Sequence, residues 1–579
     1  MLLQRLREYA DERLQLPPRL YNRVAVRYLI TLDAKGRCIT GRLEDLAEER
    51  NRRGLPLLVP QVRRTSKVRP LLLADRAAYT LGYSTPGKSA TRTKVVNAAY
   101  IELLSRCAVS TNEPAVMAVL AFLQNGPLQQ LELPDDFDPA GLITFQVGFG
   151  REAVRPVDLL SVQAFWAQEH EPPDDAPMMQ CLVCGQVRPA LSRMQGAIKG
   201  VPGGQSSGTT LVSANAAAFE SYGLERSLVA PTCSDCGERT TKALNALLTN
   251  RIEVSRYTIG DTVFVFWTKQ SQGFNFWTLL DQPHPEQVRD LLRSVYSGEQ
   301  PAVNPAFYVA VLTANIGRVV VRDWLDTTLG SIKRGLAQWF IHQRLVGYDG
   351  IIQRPLGLYA LAAATVRDPS TDLKPATAQT LLRAALTGRP LPLALLAPVL
   401  QRIRAEQTVS RSHAALVKLL LSSWDELEPP ATYYSKEDYM VQLEPDVPNV
   451  AYQCGRLLAV LERTQNLALG NPKAGIVNRY YGAASTSPAT VTPSLIRLAT
   501  TAHLPKLVRD YPTAAYRIQQ TLEEVMVQIP STGFPTTLNL REQGLVALGY
   551  YHQRAAERAQ AKAARQRTNE QPKYEGEQQ

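Results

Sequence analysis

The sequence predicts an α+β fold: a mixed, strand-rich N-terminal part with a four-cysteine, zinc-ribbon-like insertion, then an all-helical C-terminal bundle. Three observations carry this expectation. Alternating apolar segments recur up to about residue 345. Beyond that point apolar residues repeat at helical spacing, with Pro and Gly between the runs. Two Cys-x-x-Cys pairs, "CLVCG" and "CSDCG", bracket a glycine-rich stretch. At 579 residues the chain is too long for one core, since a domain typically takes roughly 100–200.

Taken in order, Leu2, Leu3, Leu6, Tyr9, Ala10 and Leu14 share one face, predicting a helix to about residue 20. "VAVRYLITLD" alternates as a strand, and Ala34-Lys35-Gly36 turns it into a second strand, "RCITGRL". "PLLVPQVRRTSKVRPLLLAD" is basic, Pro-punctuated and extended, and a helix is expected from about Lys94 to Gln124. "LITFQVGF" and "YTIGDTVFVFWT" read as strands; "AFYVAVLTANIGRVVVRDWLDTTLGSIKRGLAQWFIHQRL" reads as strand, turn, strand and helix. From residue 346 to 560 "GLYALAAATV", "ATAQTLLRAALTG", "HAALVKLLLSSW", "AYQCGRLLAVLERTQNLAL" and their neighbours form the helical domain. A polar tail, 561–579, is expected to be disordered.

The chain carries 64 Lys+Arg against 53 Asp+Glu, a net charge of +11. Its distribution is more informative than its size. Arg50 to Arg76 holds eight basic residues and one acid, and Ala451 to Asn569 holds fourteen and six. Such clusters are the electrostatic footprint of phosphate-backbone binding, or else solvated surface. No apolar run reaches the ~18 residues of a membrane-spanning helix. The N-terminus "MLLQRLREYADERL" is charged from its fourth residue, unlike a secretory signal, so a cytoplasmic location is expected.

Cys38, Cys107 and Cys454 are isolated, as buried small hydrophobes are. Cys181, Cys184, Cys233 and Cys236 offer four thiolates in two knuckles, a set that surrounds one tetrahedral structural Zn²⁺. A redox dithiol is the alternative, though no thioredoxin-like strand–Cys-x-x-Cys–helix unit surrounds either pair. The metal would close the ends of the excursion "IKGVPGGQSSGTTLVSANAAAFESYG" (Ile198 to Gly223). That excursion lacks the Gly-Lys-Ser/Thr ending of a P-loop. It keeps glycines that allow close backbone approach, beside the donors and acceptors Gln205, Ser206, Ser207 and Thr209. A plain flexible connector is the alternative; Ser213, Asn215, Ser221 and Tyr222, running into a helix, argue for order. No His precedes an Asp, there is no His-Glu-x-x-His, and the acids are dispersed. The residues therefore predict a binding protein rather than an enzyme.

Long, compositionally unusual motifs resemble the large subunits of type I-C CRISPR Cascade complexes nearly end to end. In the N-terminal part they are "VPQVRRTSKVRPLLLADRAAYTLGY", the glycine-rich excursion, "GDTVFVFWT" and "TANIGRVVVRDWL". In the C-terminal part they are "LLRAALTGRPLPLALLAPVLQRIRAE", "GRLLAVLERTQ", "RYYGAASTSPATV" and "EQGLVALGYYHQR". The resemblance implies a non-catalytic ribonucleoprotein subunit in antiviral defence, with residues 1–345 at the crRNA-handle end. It implies crRNA, target double-stranded DNA, handle-binding and backbone subunits, small subunits and a helicase–nuclease recruited in trans as partners. Recognition of the protospacer-adjacent motif (PAM) and R-loop support would be its tasks, sequence choice elsewhere resting with the guide.

On that footing the Gly203-Gly204-Gln205-Ser206-Ser207 loop with Thr209 and Asn215 enters a groove of the motif duplex, flanked on the phosphates by Lys199, Arg63, Arg64, Ser66 and Lys67. Arg456, Arg479, Arg497, Lys506, Arg509 and Arg517 would track a displaced strand, with Tyr480 and Tyr481 as stacking faces. An internal start at Met440 would yield residues 440–579 as a small subunit. A stand-alone zinc-containing DNA-binding regulator and a metal-dependent nuclease are the rival readings.

Overall fold

A computed structural model of the chain describes residues 1–48, 52–62, 68–85, 87, 89–194, 196–214, 216–249, 255–269, 276–296, 304–425, 440–470 and 472–570. The fold is α+β, strand-rich in the N-terminal half and helical towards the C-terminus. Packing divides the chain into two units: Met1–Arg256 with Leu312–Trp324, and Tyr257–Val311 with Leu325–Gln579. The units part at 256/257, with Leu312–Trp324 grouped in the first. The reason lies in the second unit, where strand residues such as Phe264, Phe266 and Phe307 share one apolar core with the helices that follow.

In the first unit, helix α1 (Leu2–Arg13) buries Leu3, Leu6, Tyr9 and Ala10. Strand β1 (Tyr21–Val26) pairs antiparallel with β4 (Leu55–Pro60). Strand β2 (Tyr28–Leu32) lies between β3 (Glu44–Asp45) and β6 (Leu142–Val147), and β5 (Ala74–Arg76) closes the sheet in the order β3-β2-β6-β5. The single strand expected over "VAVRYLITLD" is therefore two, in different sheets. The break is Arg27, whose backbone bonds Leu142 and Leu46 while its guanidinium is held by Asp45 and Asp136. "RCITGRL" is not a strand: it makes only isolated bridges, Leu32 with Cys38 and Arg42 with Glu132.

The helix expected over 94–124 is two, following α2 (Ala77–Thr80). Helix α3 (Ala90–Thr111) is capped by Ser89 and stops at Asn112 in the left-handed region. Pro114 then opens α4 (Pro114–Gln124), where its missing N–H costs nothing. Helix α5 (Leu160–Glu169), the hairpin β7 (Met178–Gln180) and β8 (Val187–Pro189), and helix α6 (Ser234–Leu248) complete the unit.

"YTIGDTVFVFWT" is a hairpin rather than one strand, β9 (Arg256–Ile259) and β10 (Thr262–Thr268) turning at Gly260-Asp261. With β11 (Ala306–Asn315) and β12 (Arg318–Thr328) it forms a sheet in the order β12-β11-β10-β9. The helices are α7 (Phe276–Asp281), α8 (Pro285–Tyr296), α9 (Leu329–His342), α10 (Leu358–Ala363), α11 (Pro375–Thr387), α12 (Leu396–Glu406) and α13 (Arg411–Asp425). They continue with α14 (Val450–Leu469), α15 (Ile476–Thr486), α16 (Pro488–Leu498), α17 (Leu504–Asp510), α18 (Pro512–Val527) and α19 (Leu540–Glu570). Residues 561–570, read as tail, thus extend the last helix; 571–579 lie outside the described residues.

Helix α14 is the axis of the bundle. Asn449 caps it, Gly470 ends it, and Ala451 through Leu461 are all buried. A helix buried on every side must be surrounded, and α14 packs against α15, α16, α17, α18 and α19. Two glycines set its crossing with α19. A Cβ on Gly455 would stand 2.0 Å from the Val546 carbonyl oxygen, and one on Gly549 2.2 Å from that of Tyr452. The backbones touch there, so Gly455→Ala should cost about 1–3 kcal/mol and lower Tm by about 2–10 °C. Gly482, helical with nothing within 4 Å of its Cβ position, is the control: Gly482→Ala should be neutral or stabilise by about 0.5–1 kcal/mol. Thermal unfolding of the two variants checks both signs.

Candidate metal centre and nucleic-acid interface

The two clips meet because each lies on an element that fixes its direction. Cys181 and Cys184 occupy the turn of the β7–β8 hairpin, where Gly185 bonds back to the Cys181 carbonyl at 2.8 Å. Cys233 is the N-cap of α6 and Cys236 lies in its first turn, where the helix dipole favours thiolate. The arms are zipped by bonds from Leu182 to Pro231 (2.9 Å) and from Leu191 to Thr232 (3.0 Å). The insertion is therefore a hairpin knuckle joined to a helix start.

All four Sγ atoms lie within 4.8 Å of one another, with Cys184 and Cys233 at 4.0 Å. Thiolates bound at ~2.3 Å around a tetrahedral ion stand ~3.8 Å apart, so the set fits a metal ion with little adjustment. Burial pushes the Cys181 thiol up, but the backbone N–H groups of Cys184, Cys233 and Val183 overcome it and bring it down to about 7. Burial and the neighbouring thiol of Cys233 push Cys236 strongly up. A divalent ion held there would remove that conflict by taking all four sulfurs as thiolates. The net negative charge of such a centre would face Arg7 of α1, while Leu3 of the same helix packs on the cysteines. Burial acts to lower the pKa of Arg7, yet Cys236, Asp11, Asp235 and Cys184 together raise it. Neither residue was legible as part of the site, since α1 joins it through long-range packing on α6 and a bond from Gln4 to the Leu182 carbonyl.

The glycine-rich loop is mounted, not loose. Ile198 and Thr209 exchange two backbone bonds of 2.8 Å across its neck, and Gly208 N–H donates to Gln205 O at 2.8 Å. Asn245 of α6 holds the incoming arm of the neck on either side of Ile198, accepting from Lys199 N–H and donating to Ala197 O, each at 2.9 Å. The far side lies on the tip of the β11–β12 hairpin: Gln205 N–H donates to Ile316 O (3.1 Å), Thr210 N–H to Gly317 O (2.9 Å), and Val319 N–H to Thr210 O (3.0 Å). Lys199, Gly203, Gln205, Ser206 and Ser207 are exposed, and Gly204 is half-buried.

Thr209 is corrected: it is buried, and its hydroxyl donates to Ile198 O, so it braces the loop rather than meeting a ligand. Gly204–Gly208 also has the Gly-x-Ser-x-Gly spacing of a nucleophile elbow. It fails that test in context, since it closes back on Thr209 instead of leading from a strand into a helix. Past the loop the described residues form two short 3-10 turns (Ala217–Phe219 and Ser227–Val229) before α6 rather than a helix, with an almost fully exposed Tyr222 at φ 54 between them. Arg318 of the hairpin tip lies 4.0 Å over the Phe219 ring. Arg318, Phe219 and Tyr222 are additions to the candidate interface. Only long-range pairing brings them there.

Arg63, Arg64, Ser66, Lys67 and Asn215 lie outside the described residues. In the bundle, Arg479, Tyr480, Arg497, Lys506, Arg509 and Arg517 are exposed, Arg509 being paired with Asp510 at 2.8 Å. Arg456 and Tyr481 are corrected. Arg456 is fully buried, bonded to Gln553, Gln453, the Pro445 carbonyl and Glu524. Tyr481 is buried edge-on to Tyr550. Both hold helices together and present nothing to a strand.

The family model described as CRISPR-associated protein (Cas_Csd1) matches residues 2–557. The chain belongs to the Cas_Csd1 family. The match takes in the cysteine clips, the mounted loop and the helices from α7 to most of α19, making this a CRISPR-associated protein of the Cascade large-subunit type. No curated protein matches the chain. Among the described residues no helix is long and apolar enough to cross a membrane.

The mount gives this Cas_Csd1 chain a local test. Gly208 has φ +97, and an added Cβ would meet that of Ala197 at 2.7 Å. Gly208→Ala should cost about 1–3 kcal/mol of local stability. Hydrogen exchange should rise across 198–210 and stay unchanged in α14 and α19.

Proposed function

We propose that this protein is the non-catalytic large subunit of a type I-C Cascade complex. It reads the PAM in double-stranded DNA, promotes duplex opening, steadies the R-loop and recruits a helicase–nuclease. The observation that carries this reading is the loop: exposed Gln205, Ser206 and Ser207 on a backbone fixed by α6 and the β11–β12 tip. A base-reading group must be held in register before the duplex arrives, because ordering it on binding subtracts from affinity. Gln205 offers a donor and an acceptor side by side, the pattern that pairs bidentately with adenine in the major groove. Lys199 at the neck and Arg318 beside the loop supply charge for flanking phosphates. In the bundle, exposed Arg479, Arg497, Lys506 and Arg517 suit the backbone of a displaced strand, with Tyr480 as a stacking face. The partners this role requires are crRNA, handle-binding and backbone subunits, small subunits and the helicase–nuclease.

The same reading makes the metal a structural zinc. An all-thiolate tetrahedral set selects Zn²⁺ and leaves no open position for a substrate or water. The ion would fix the first turn of α6 against the knuckle, and so fix the helix that carries Asn245.

Two measurements test the reading. Gln205→Ala should weaken binding of the assembled complex to motif-bearing duplex about 10–100-fold, as loss of one bidentate base contact does, with assembly unchanged. Equal affinity for motif-bearing and motif-less duplex in the unmutated complex would remove the reading. Metal analysis should find one zinc per chain, and Cys233→Ser with Cys236→Ser should abolish it. Stripping the ion should raise hydrogen exchange in 181–236 before it affects α14 or α19. Zinc-free protein with the same exchange pattern would remove the structural role.

A further inference from the structure

In the first unit a cavity of about 490 Å³ opens where β1, the turn before β4, the end of β5 and the start of β6 converge. Among the described residues its wall carries four arginines, Arg27, Arg52, Arg53 and Arg76, against one acid, Asp138. Their states differ. Arg27 is clamped by Asp45 and Asp136, at 3.1 and 2.7 Å, so it is a fixed and neutralised part of the wall. The side chains of Arg52, Arg53 and Arg76 are exposed and take no hydrogen bond or ion pair from the described residues. The turn that carries the first two is built for its place. Gly54 has φ +95, and a Cβ there would stand 2.1 Å from the Val26 carbonyl oxygen, so the turn presses directly on the end of β1. The floor is apolar, from Val24, Ala25, Val62, Leu71 and Leu142, and Gln61 is its neutral polar group.

Three guanidiniums unpaired among the described residues stand against the one wall carboxylate, Asp138, and the net positive field concentrates an anion between them. Guanidinium forks match phosphate oxygens two at a time. The apolar floor suits the face of a base or sugar, the Gln61 amide suits a base edge, and the volume lies in the range of small-ligand sites, roughly 300–1,000 Å³. We propose that this cavity binds a phosphate-bearing nucleotide, either free or as the unpaired 5′-phosphorylated end of a strand. The site is separate from the glycine-rich loop and does not depend on the PAM-reading role proposed for that loop.

The test uses the full chain with two probes, ADP and a single-stranded hexanucleotide carrying a 5′-phosphate or a 5′-hydroxyl, followed by calorimetry and anisotropy. Arg76→Ala, and separately Arg52→Ala with Arg53→Ala, should weaken the bound probe about tenfold or more, because each removes a charge-assisted bond to phosphate. Arg37→Ala, an equal charge change at an exposed residue paired with Asp33, should leave binding within about twofold, within the range of a bystander surface charge. Gln205→Ala should also leave it unchanged, so the two proposals fail separately. Binding of ADP assigns the site to a free nucleotide, and binding of the 5′-phosphorylated strand alone assigns it to a strand end. Binding of neither probe, equal binding of the 5′-hydroxyl strand, or cavity variants that bind as the parent does would each overturn the proposal.

Discussion

Helix α6 is the constraint on which the N-terminal site depends. Its start places Cys233 and Cys236 against the Cys181–Cys184 knuckle, and Asn245 further along clamps the incoming arm of the loop neck at Ala197 and Lys199. A glycine-rich segment loses more backbone freedom on ordering than any other kind, so it stays in one conformation only where bonds hold it. Here they come from three sources: the loop's own neck, Asn245, and the β11–β12 tip. The clips matter because they set the position of α6. Joining the ends of a long excursion costs loop-closure entropy that its short zipper of backbone bonds would otherwise meet alone.

The second unit rests on a different constraint, the close approach of α14 and α19 at Gly455 and Gly549. That approach explains the burial of the residue next to Gly455. With the backbones in contact, Arg456 reaches Gln553 on α19 and Glu524 on α18 at once. Arg456 is fully buried while Glu524 meets it from the exposed side of α18, and a buried cation left without its partners costs several kcal/mol. The pairing therefore penalises registers in which α18 or α19 slides, and a basic residue is spent on architecture.

How far the sequence could be read follows from which contacts are local. The cysteine clips, the strand-rich half and the helical texture were legible because spacing and period are local properties. The Asn112–Pro114 punctuation and the Gly260 turn are local signals too, outweighed by the long apolar runs on either side of them. What was not legible depends on distant partners. "VAVRYLITLD" alternates without interruption, yet Arg27 hands the chain from one sheet to another because Asp45, Asp136 and Leu142 stand where they do. "RCITGRL" has strand composition but finds only single bridges. In the candidate site, Gln205, Ser206 and Ser207 could be chosen by type, whereas Arg318 and Phe219 enter through the parallel bridges of Gly204 with Ile316 and Thr210 with Arg318. Thr209, Arg456 and Tyr481 show the converse, residues of suitable type turned inward.

This sorting bears on what the net charge of +11 means. Counting arginines treats them alike, but the fold divides them. Arg27 and Arg456 are consumed by carboxylates and carbonyls of the protein itself, and Arg509 is paired with its neighbour Asp510. Arg318 is laid over an aromatic ring, which leaves its charge intact and its orientation fixed. Arg52, Arg53 and Arg76 in one unit and Arg479, Arg497 and Arg517 in the other keep exposed guanidiniums that no carboxylate among the described residues neutralises. An anionic partner responds to that remainder and not to the total. The positive charge of this CRISPR-associated chain is therefore best counted after its own acids have been satisfied, and what is left is set at the edges of a cavity, beside a braced loop and along exposed helix faces.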